Sequence, residues 1–193
     1  MSRHCRLRFS VSASACFAGA AMLLILPLRW SMAMFLAAAI HECCHLLCLR
    51  LCGVPVWRIH LDLHGAVIET APLLPMQEVL CAAAGPVGSF LCLVFAQWFP
   101  PLTLCGFLQG IYNLLPVYPL DGGRMLHGIL HLIVPNRAEV ISKCCAELVL
   151  WLLFLPCLIL YCRTDRMLFL YLGGYFLLRI ILSRKTPCNR VRN

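Results

Sequence analysis

Two histidines and a glutamate stand together in an apolar stretch, at His41, Glu42 and His45. Residues four apart share one face of a helix, so both imidazoles can reach one tetrahedral metal ion. The H-E-x-x-H pattern is that of metalloproteases, in which the glutamate takes a proton from water activated by the metal and passes it to the leaving amine. A hydrated helix end is the alternative. A charge costs roughly 2.5–3.5 kcal/mol at the centre of a membrane helix, so we favour a metal site with Glu42 as general base.

A catalytic zinc site needs a third protein ligand and one open position. The candidate ligand is Asp121, in the segment YNLLPVYPLDGGR, where two prolines and two glycines interrupt an apolar run. Irregular backbone at membrane depth is tolerated only where it lines a protein cavity, so this interruption is a suitable place for a carboxylate to turn towards a metal. Two histidines and one carboxylate predict a single Zn²⁺ ion.

The composition is that of a membrane protein. Of the 193 residues, 62% are hydrophobic and 12% charged, whereas soluble domains are about 45–50% apolar and about 25% charged. Apolar runs of about 20 residues, each long enough to cross the hydrocarbon layer, recur along the chain. We predict about six transmembrane helices, at approximately 9–28, 31–51, 78–99, 102–118, 141–161 and 167–183.

The basic residues indicate orientation. The net charge is +8, but twelve of the sixteen Lys and Arg residues lie on one side, counting Arg50 and Lys143 at the ends of spans, three lie on the other, and Arg179 lies within a span. They form no basic face with interleaved aromatic residues, so no nucleic-acid partner is expected. Positive residues accumulate on the cytosolic side, which predicts that both termini are cytosolic. The apolar run after the N-terminus resembles a signal peptide but has no convincing cleavage site, so we interpret it as a retained helix.

Two segments depart from simple membrane helices. Apolar and polar residues alternate in VPVWRIHLDLHGAVIE, residues 54–69, which predicts a β-hairpin associated with the membrane surface. The prolines and glycines near Asp121 break the fourth helix, and a further helical piece restarts at about 123–134. The predicted fold is therefore an all-α polytopic membrane protein, with a hairpin between helices two and three and a broken fourth helix. Residues 1–193 form a single domain in this interpretation, with a catalytic core at about 31–135 and C-terminal helices at about 141–183.

HECCH in one apolar run and NLLPVYPLDGGR in a later one together resemble the site-2 protease family of intramembrane zinc metalloproteases, peptidase family M50. AAAGPVGSF resembles the A-G-P segment of that family. The short layout is most similar to the sporulation branch, that of stage IV sporulation protein FB. The resemblance implies that His41, His45 and Asp121 bind zinc and that Glu42 is the general base. It implies that Asn113, Gly85 and Pro86 contribute to substrate binding, and that the edge of the hairpin pairs with an extended substrate.

The implied function is cleavage of a membrane-associated protein near the cytosolic face. The sporulation branch would add a sigma-factor precursor as substrate, inhibitory membrane proteins as partners, and the mother-cell membrane around the forespore as the location. The alternatives are a catalytically inactive relative, a metal-binding transporter, and a metallopeptidase acting on soluble chains. Glu42 separates the first two from an enzyme, because neither needs a base beside the histidines.

Several residues depart from the family pattern or remain outside it. Cys43 and Cys44 occupy positions where the family usually carries small or aliphatic residues, and Ser89 stands near a position that is often asparagine. Cys44 could approach the metal, although packing is the simpler interpretation of the fourteen cysteines. His60 and His64 are either solvated surface groups or a pH-sensitive or accessory metal-binding patch. His127 and His131 share a helix face and are interpreted as a polar stripe at the level of the lipid headgroups.

Overall fold

The computed structural model of the protein describes residues 8–62, 65–164 and 166–185, with the side chains of residues 65 and 182–185 left aside. It contains three strands, seven α-helices and one short 3₁₀ helix. In chain order these are β1 (Arg8–Val11), α1 (Ala13–Ile25), α2 (Leu28–Leu51), β2 (Val56–Asp62), β3 (Gly65–Thr70), α3 (Pro75–Leu91), the 3₁₀ helix (Cys92–Phe95), α4 (Pro100–Asn113), α5 (Asp121–Ile133), α6 (Ala138–Thr164) and α7 (Met167–Lys185). The chain divides into two compact units, Met1–Tyr112 and Asn113–Asn193.

Among the described residues, three helical segments are long and apolar enough to cross a membrane: Leu28–Leu51, Pro75–Phe95 and Ala138–Thr164. Many of their large apolar side chains are exposed, as they are in a protein surrounded by lipid. The other predicted spans correspond to shorter helices of 13 to 19 residues. These helices are those of a membrane protein. The number of six spans and the orientation of the termini remain predictions.

The predicted hairpin is confirmed, and it belongs to a three-stranded sheet with the order β1-β2-β3. β2 and β3 are antiparallel, with Ile59 opposite Ile68, and residues 63 and 64 lie outside the described part of the chain. β1 pairs in parallel with β2. The first helix was expected to begin at residue 9, and this boundary is wrong because residues 8–11 extend β2 on one side and Ser12 caps α1 by accepting a hydrogen bond from the Ala15 amide.

Side chains of the hairpin hold β1 and the start of α1 in place. Ser10 Oγ lies 2.8 Å from His60 Nδ1, so His60 takes part in strand pairing. The Asp62 carboxylate accepts hydrogen bonds from the hydroxyls of Ser12 and Ser14, at 2.9 and 2.7 Å. His64, the other predicted member of this polar group, lies outside the described residues.

Replacing Asp62→Ala is expected to loosen the N-terminal strand, because two hydroxyls lose a charged acceptor. If the free energy of local opening falls by about 1–2 kcal/mol, the rate of amide hydrogen exchange in residues 8–15 rises about 5- to 30-fold. Glu69→Ala, which removes another carboxylate from the same hairpin, is the control and leaves those amides unchanged. Equal exchange in the Asp62 variant and the wild type contradicts the prediction.

In the first unit, α2 packs against α3 along a narrow stripe of buried residues. The buried positions of α2 recur every four residues, at Ala33, Ala37, His41, His45 and Leu49. Ala33 and Ala37 form an apolar cluster with Cys92 and Leu102. Small side chains let the helices approach closely, as is usual in membrane proteins. The two histidines continue this same stripe, so helix packing alone places them in the interior.

The predicted break of the fourth helix is confirmed, because α4 ends at Asn113 and α5 begins at Asp121 in the second unit. The loop between them folds back over the first turn of α5. A Cβ atom on Gly122 would collide with the carbonyl oxygen of Leu114, and one on Gly123 would lie 2.5 Å from the backbone of Val117. Both glycines are therefore needed for this close backbone approach. A separate apolar cluster within this unit joins the break to α6 and α7 and comprises Val117, Ala146, Leu150 and Ile180.

Candidate metal centre

His41 and His45 lie on the buried face of α2, and their imidazoles meet. The side chains are 3% and 7% exposed, with ring centroids 4.7 Å apart and the planes nearly perpendicular. The two Nε2 atoms are 3.1 Å apart. Two nitrogen ligands of a tetrahedral zinc ion at about 2.05 Å are separated by about 3.3 Å. The spacing of the pair thus fits two ligands of one ion.

The opposite nitrogen of each ring is bonded to α3. His45 Nδ1 lies 2.7 Å from the carbonyl oxygen of Cys81, and since a carbonyl can only accept, Nδ1 is the donor. His41 Nδ1 lies 2.8 Å from the Ser89 hydroxyl. Metal-binding histidines usually have such partners on the second ring nitrogen, because these fix the tautomer and the ring orientation. In neutral His45 the lone pair consequently resides on Nε2.

The tautomer of His41 decides what the two Nε2 atoms do. If the Ser89 hydroxyl donates to His41 Nδ1, His41 Nε2 carries hydrogen and donates to His45 Nε2. If His41 Nδ1 donates to Ser89, two lone pairs converge at 3.1 Å, and that arrangement is suited to a cation. Because a serine hydroxyl can play either role, Ser89 is compatible with both tautomers of His41, which differ in whether Nε2 or Nδ1 carries the ring proton.

Ser89→Ala is expected to weaken zinc binding about 10- to 100-fold, the usual effect of removing a partner of a metal-binding histidine. Zinc affinity is measured on the purified chain by competition with a chelator. Ser31→Ala removes another buried serine, whose hydroxyl bonds the Met22 carbonyl, and should leave the affinity unchanged. A Ser89 variant with wild-type affinity would show that the hydroxyl does not orient His41.

Gly85 provides the space for both imidazoles. A Cβ atom built on it would collide with His45 Nε2 and lie 2.7 Å from His41 Cε1. Gly85 and Pro86 are both buried in α3. The resemblance implied a substrate-binding role for them, which remains a prediction. The role visible in the structure is that Gly85 lets α3 pass directly beside the histidines.

Glu42 and the two neighbouring cysteines occupy other faces of α2. Glu42 is half-buried and follows His41 by one residue, about 100° around the helix. Cys43 is exposed. The Cys44 sulfur packs against Gly88 of α3, at the point where a Cβ atom would otherwise lie. The structure therefore supports packing as the role of Cys44.

In the second unit, Asp121 is buried, with 6% exposure, and is the first residue of α5. The N-terminus of a helix stabilises a carboxylate, because its amide dipoles point there. The Arg124 guanidinium lies 3.8 Å from the Asp121 carboxylate. Asn113, the predicted substrate-binding residue of the motif, is half-buried at the end of α4. A buried acid thus follows the break directly, and an amide side chain directly precedes it.

The second histidine pair lies on α5. The rings of His127 and His131 are 4.6 Å apart and edge to face. Within the described part of the chain, neither residue belongs to a group of three metal-ligating side chains. The helix is strongly amphipathic, in agreement with a polar stripe at the membrane surface.

Sequence reasoning missed two partners of the histidines. Ser89 was recognised as a departure from the family pattern, and a hydroxyl inside an apolar helix was the available signal. The Cys81 carbonyl gave no signal, because every residue has one. Helix pairing determines which carbonyl and which hydroxyl face His45 and His41.

Comparison with known proteins finds a similar zinc metalloprotease and a solved structure of similar fold. No protein-family model matches the sequence. A zinc metalloprotease of Methanocaldococcus jannaschii is 30% identical over 111 residues, covering 50% of this chain and 33% of that protein. The chain therefore matches only one third of the length of this curated relative.

Among solved structures, a site-2 protease from Methanocaldococcus jannaschii matches with a TM-score of 0.63 and 19% identity, covering 96% of this chain and 93% of that one. The chain has the fold of a site-2 protease.

Proposed function

We propose that the chain is an intramembrane zinc metalloendopeptidase of the site-2 protease family, which cleaves a membrane-associated protein near the cytosolic face. The observation that carries the proposal is the His41–His45 pair, whose Nε2 atoms lie 3.1 Å apart in an apolar helix while both Nδ1 atoms are bonded to α3. When His41 Nδ1 donates to Ser89, the lone pairs of both Nε2 atoms converge, as those of two ligands of one metal ion do. The likeness to a zinc metalloprotease and to a site-2 protease fold supports the same conclusion.

His41, His45 and Asp121 would hold one zinc ion in this proposal. The buried carboxylate of Asp121 and the two imidazoles form the set of nitrogen and oxygen donors that zinc accepts in catalytic sites. A bound zinc ion would supply Lewis-acid activation of the scissile carbonyl and of the attacking water. Glu42 would accept a proton from the attacking water and deliver it to the leaving amine. Asn113 would hold the opened substrate backbone, and Gly85 and Pro86 would contribute to substrate binding by shaping their own helix, α3.

Asp121→Ala is expected to lower zinc affinity by more than the 10- to 100-fold typical of an indirect contact, because a direct ligand is lost. Arg124→Ala is the matched control, since it removes the ion pair of Asp121 but keeps the carboxylate. Zinc content after dialysis should fall in the first variant only. If both variants retain zinc equally, Asp121 is not a ligand.

The described sheet has two edge strands. β2 lies between β1 and β3, so β1 and β3 each pair on one side only, and β3 is the edge that belongs to the hairpin. An extended peptide can add to such an edge through main-chain hydrogen bonds. A helical substrate hides its carbonyls, so it must unwind before it is cut. We propose that the unwound segment pairs with β3.

The motif resemblance and the charge distribution support more specific proposals about location, substrate and partners. We place the chain in a bacterial cell membrane, with both termini cytosolic because of the distribution of Lys and Arg. Residues 1–193 act as one catalytic domain. The substrate would be a sigma-factor precursor held at the mother-cell membrane, and inhibitory membrane proteins would restrain the enzyme. The support for this substrate is the resemblance to the sporulation branch.

The function is tested with the purified chain in lipid vesicles and candidate membrane-anchored precursors. Zinc is removed with a chelator and then restored. We expect a shortened product only when zinc is present, and no cleavage of an unfolded soluble chain of the same length. Cleavage that persists without metal would exclude a metalloprotease. Equal cleavage of the soluble chain would exclude selection of membrane-anchored substrates.

A further inference from the structure

Three cysteines form a second cluster, separate in its donors from the histidine pair. Cys48 and Cys52 lie four residues apart at the end of α2, and Cys81 lies on α3. Their sulfur atoms are all within 4.8 Å of one another. All three are free thiols, two of them half-buried and Cys81 buried. The proposed hydrolysis uses none of these sulfur atoms.

The spacing of the sulfur atoms fits a metal ion. Three thiolates at about 2.3 Å from one ion in a trigonal plane lie about 4.0 Å apart. The observed cluster reaches that spacing with shifts of under about 1 Å, well within the freedom of a cysteine side chain at the end of a helix. The i, i+4 spacing at the end of α2 and the packing of α2 against α3 bring the three sulfur atoms together.

The surroundings restrict which metal can bind. The cluster is packed among apolar residues of α2, the following loop and the hairpin, namely Leu49, Val54, Val56, Ile68 and Leu73. Thiolates favour soft ions such as Cu(I), zinc and iron–sulfur clusters. Structural zinc takes four ligands, and the described cluster has three donors in an apolar environment that disfavours a water molecule as the fourth.

We propose that Cys48, Cys52 and Cys81 form a binding site for one monovalent copper ion. Binding replaces thiol protons, which are released to the solvent, and the ion enters and remains as Cu(I), so no electron is transferred. Cys52 follows the last turn of α2 and is half-buried, which gives the ion access from the end of the helix.

The site is joined to the histidine pair through the backbone. The Cys81 carbonyl accepts the hydrogen bond from His45 Nδ1, while its thiol belongs to the cluster. A copper ion would therefore tie the end of α2 to the part of α3 that orients His45. The substitution Cys81→Ser removes the thiol but keeps this backbone carbonyl. A loss of copper binding can therefore be distinguished from a loss of the hydrogen bond made by His45.

The test uses the full chain, reduced and purified in detergent without oxygen, and loaded with Cu(I) in the presence of a competing Cu(I) chelator. Two variants with equal numbers of thiols are compared. One carries Cys48→Ser, Cys52→Ser and Cys81→Ser; the other carries serine at three exposed positions, Cys16, Cys144 and Cys162. The single variant Cys52→Ser serves if the cluster triple variant fails to fold.

We expect the wild type and the exposed-site variant to retain one copper ion per chain, coordinated by three sulfur atoms in X-ray absorption. The cluster variant and Cys52→Ser should retain at least 10-fold less. Equal loss in the two triple variants, retention by the cluster variant, or nitrogen coordination would overturn the proposal. Because copper retention is the readout, the result does not depend on whether the chain hydrolyses peptides.

Discussion

Glu42→Gln is expected to bind zinc as tightly as the wild type and to cleave no detectable substrate. Glutamine has nearly the same shape as glutamate but cannot accept a proton from the attacking water. General acid–base catalysis contributes about 10²- to 10⁴-fold to a rate, so cleavage should fall by that factor or more. The histidines and their partners on Ser89 and Cys81 are unchanged, which is why the metal is retained.

The comparison of zinc content with cleavage separates the proposed enzyme from its alternatives. A transporter or an inactive relative has no use for a base beside the histidines, so Glu42→Gln would leave its behaviour unaltered. His45→Ala is the companion variant, because it should lose zinc and cleavage together. Product formed by Glu42→Gln at the wild-type rate would exclude Glu42 as the base and remove the main argument for hydrolysis.

Gly85→Ala is expected to abolish zinc binding and cleavage together, although a single methyl group is added. The new Cβ would occupy the position of His45 Nε2 and press on His41. Because it sits on the backbone of α3, it cannot turn away, and either the helices separate or the imidazoles leave their positions. Overpacking of this kind costs about 1–3 kcal/mol, and displaced ligands lower zinc affinity by at least about 100-fold.

Gly174→Ala is the matched control for the Gly85 substitution. Gly174 also lies within a helix, but a Cβ atom there meets nothing within 4 Å, so alanine should be neutral or stabilising by up to about 1 kcal/mol. Both variants are compared for zinc content and for thermal unfolding in detergent. Normal zinc binding by Gly85→Ala would show that the histidines can bind metal without the close passage of α3.

Much of the fold was predictable because lipid simplifies the relation between sequence and structure. Apolar runs of sufficient length must be helical where no water can satisfy the backbone. Alternation at residues 56–62 predicted a strand, and the prolines and glycines around Asp121 predicted the break. Strand β1 was not predicted, since a four-residue strand is defined by its partner β2. The first and fourth helices also ended or began at residues other than those predicted, because Ser12 caps the first helix and the chain turns after Asn113.

The candidate site was also predictable from the sequence only in part. The residue types and spacing of His41, Glu42 and His45 determined the expected chemistry, because ligand identity and helical periodicity are local properties of the chain. Only the tertiary structure decided that Ser89 and the Cys81 carbonyl orient the two imidazoles, that Gly85 makes room for them, and that Cys48 and Cys52 meet Cys81. These contacts depend on the alignment of α2 with α3, and that alignment is set by small residues packing across two helices far apart in sequence.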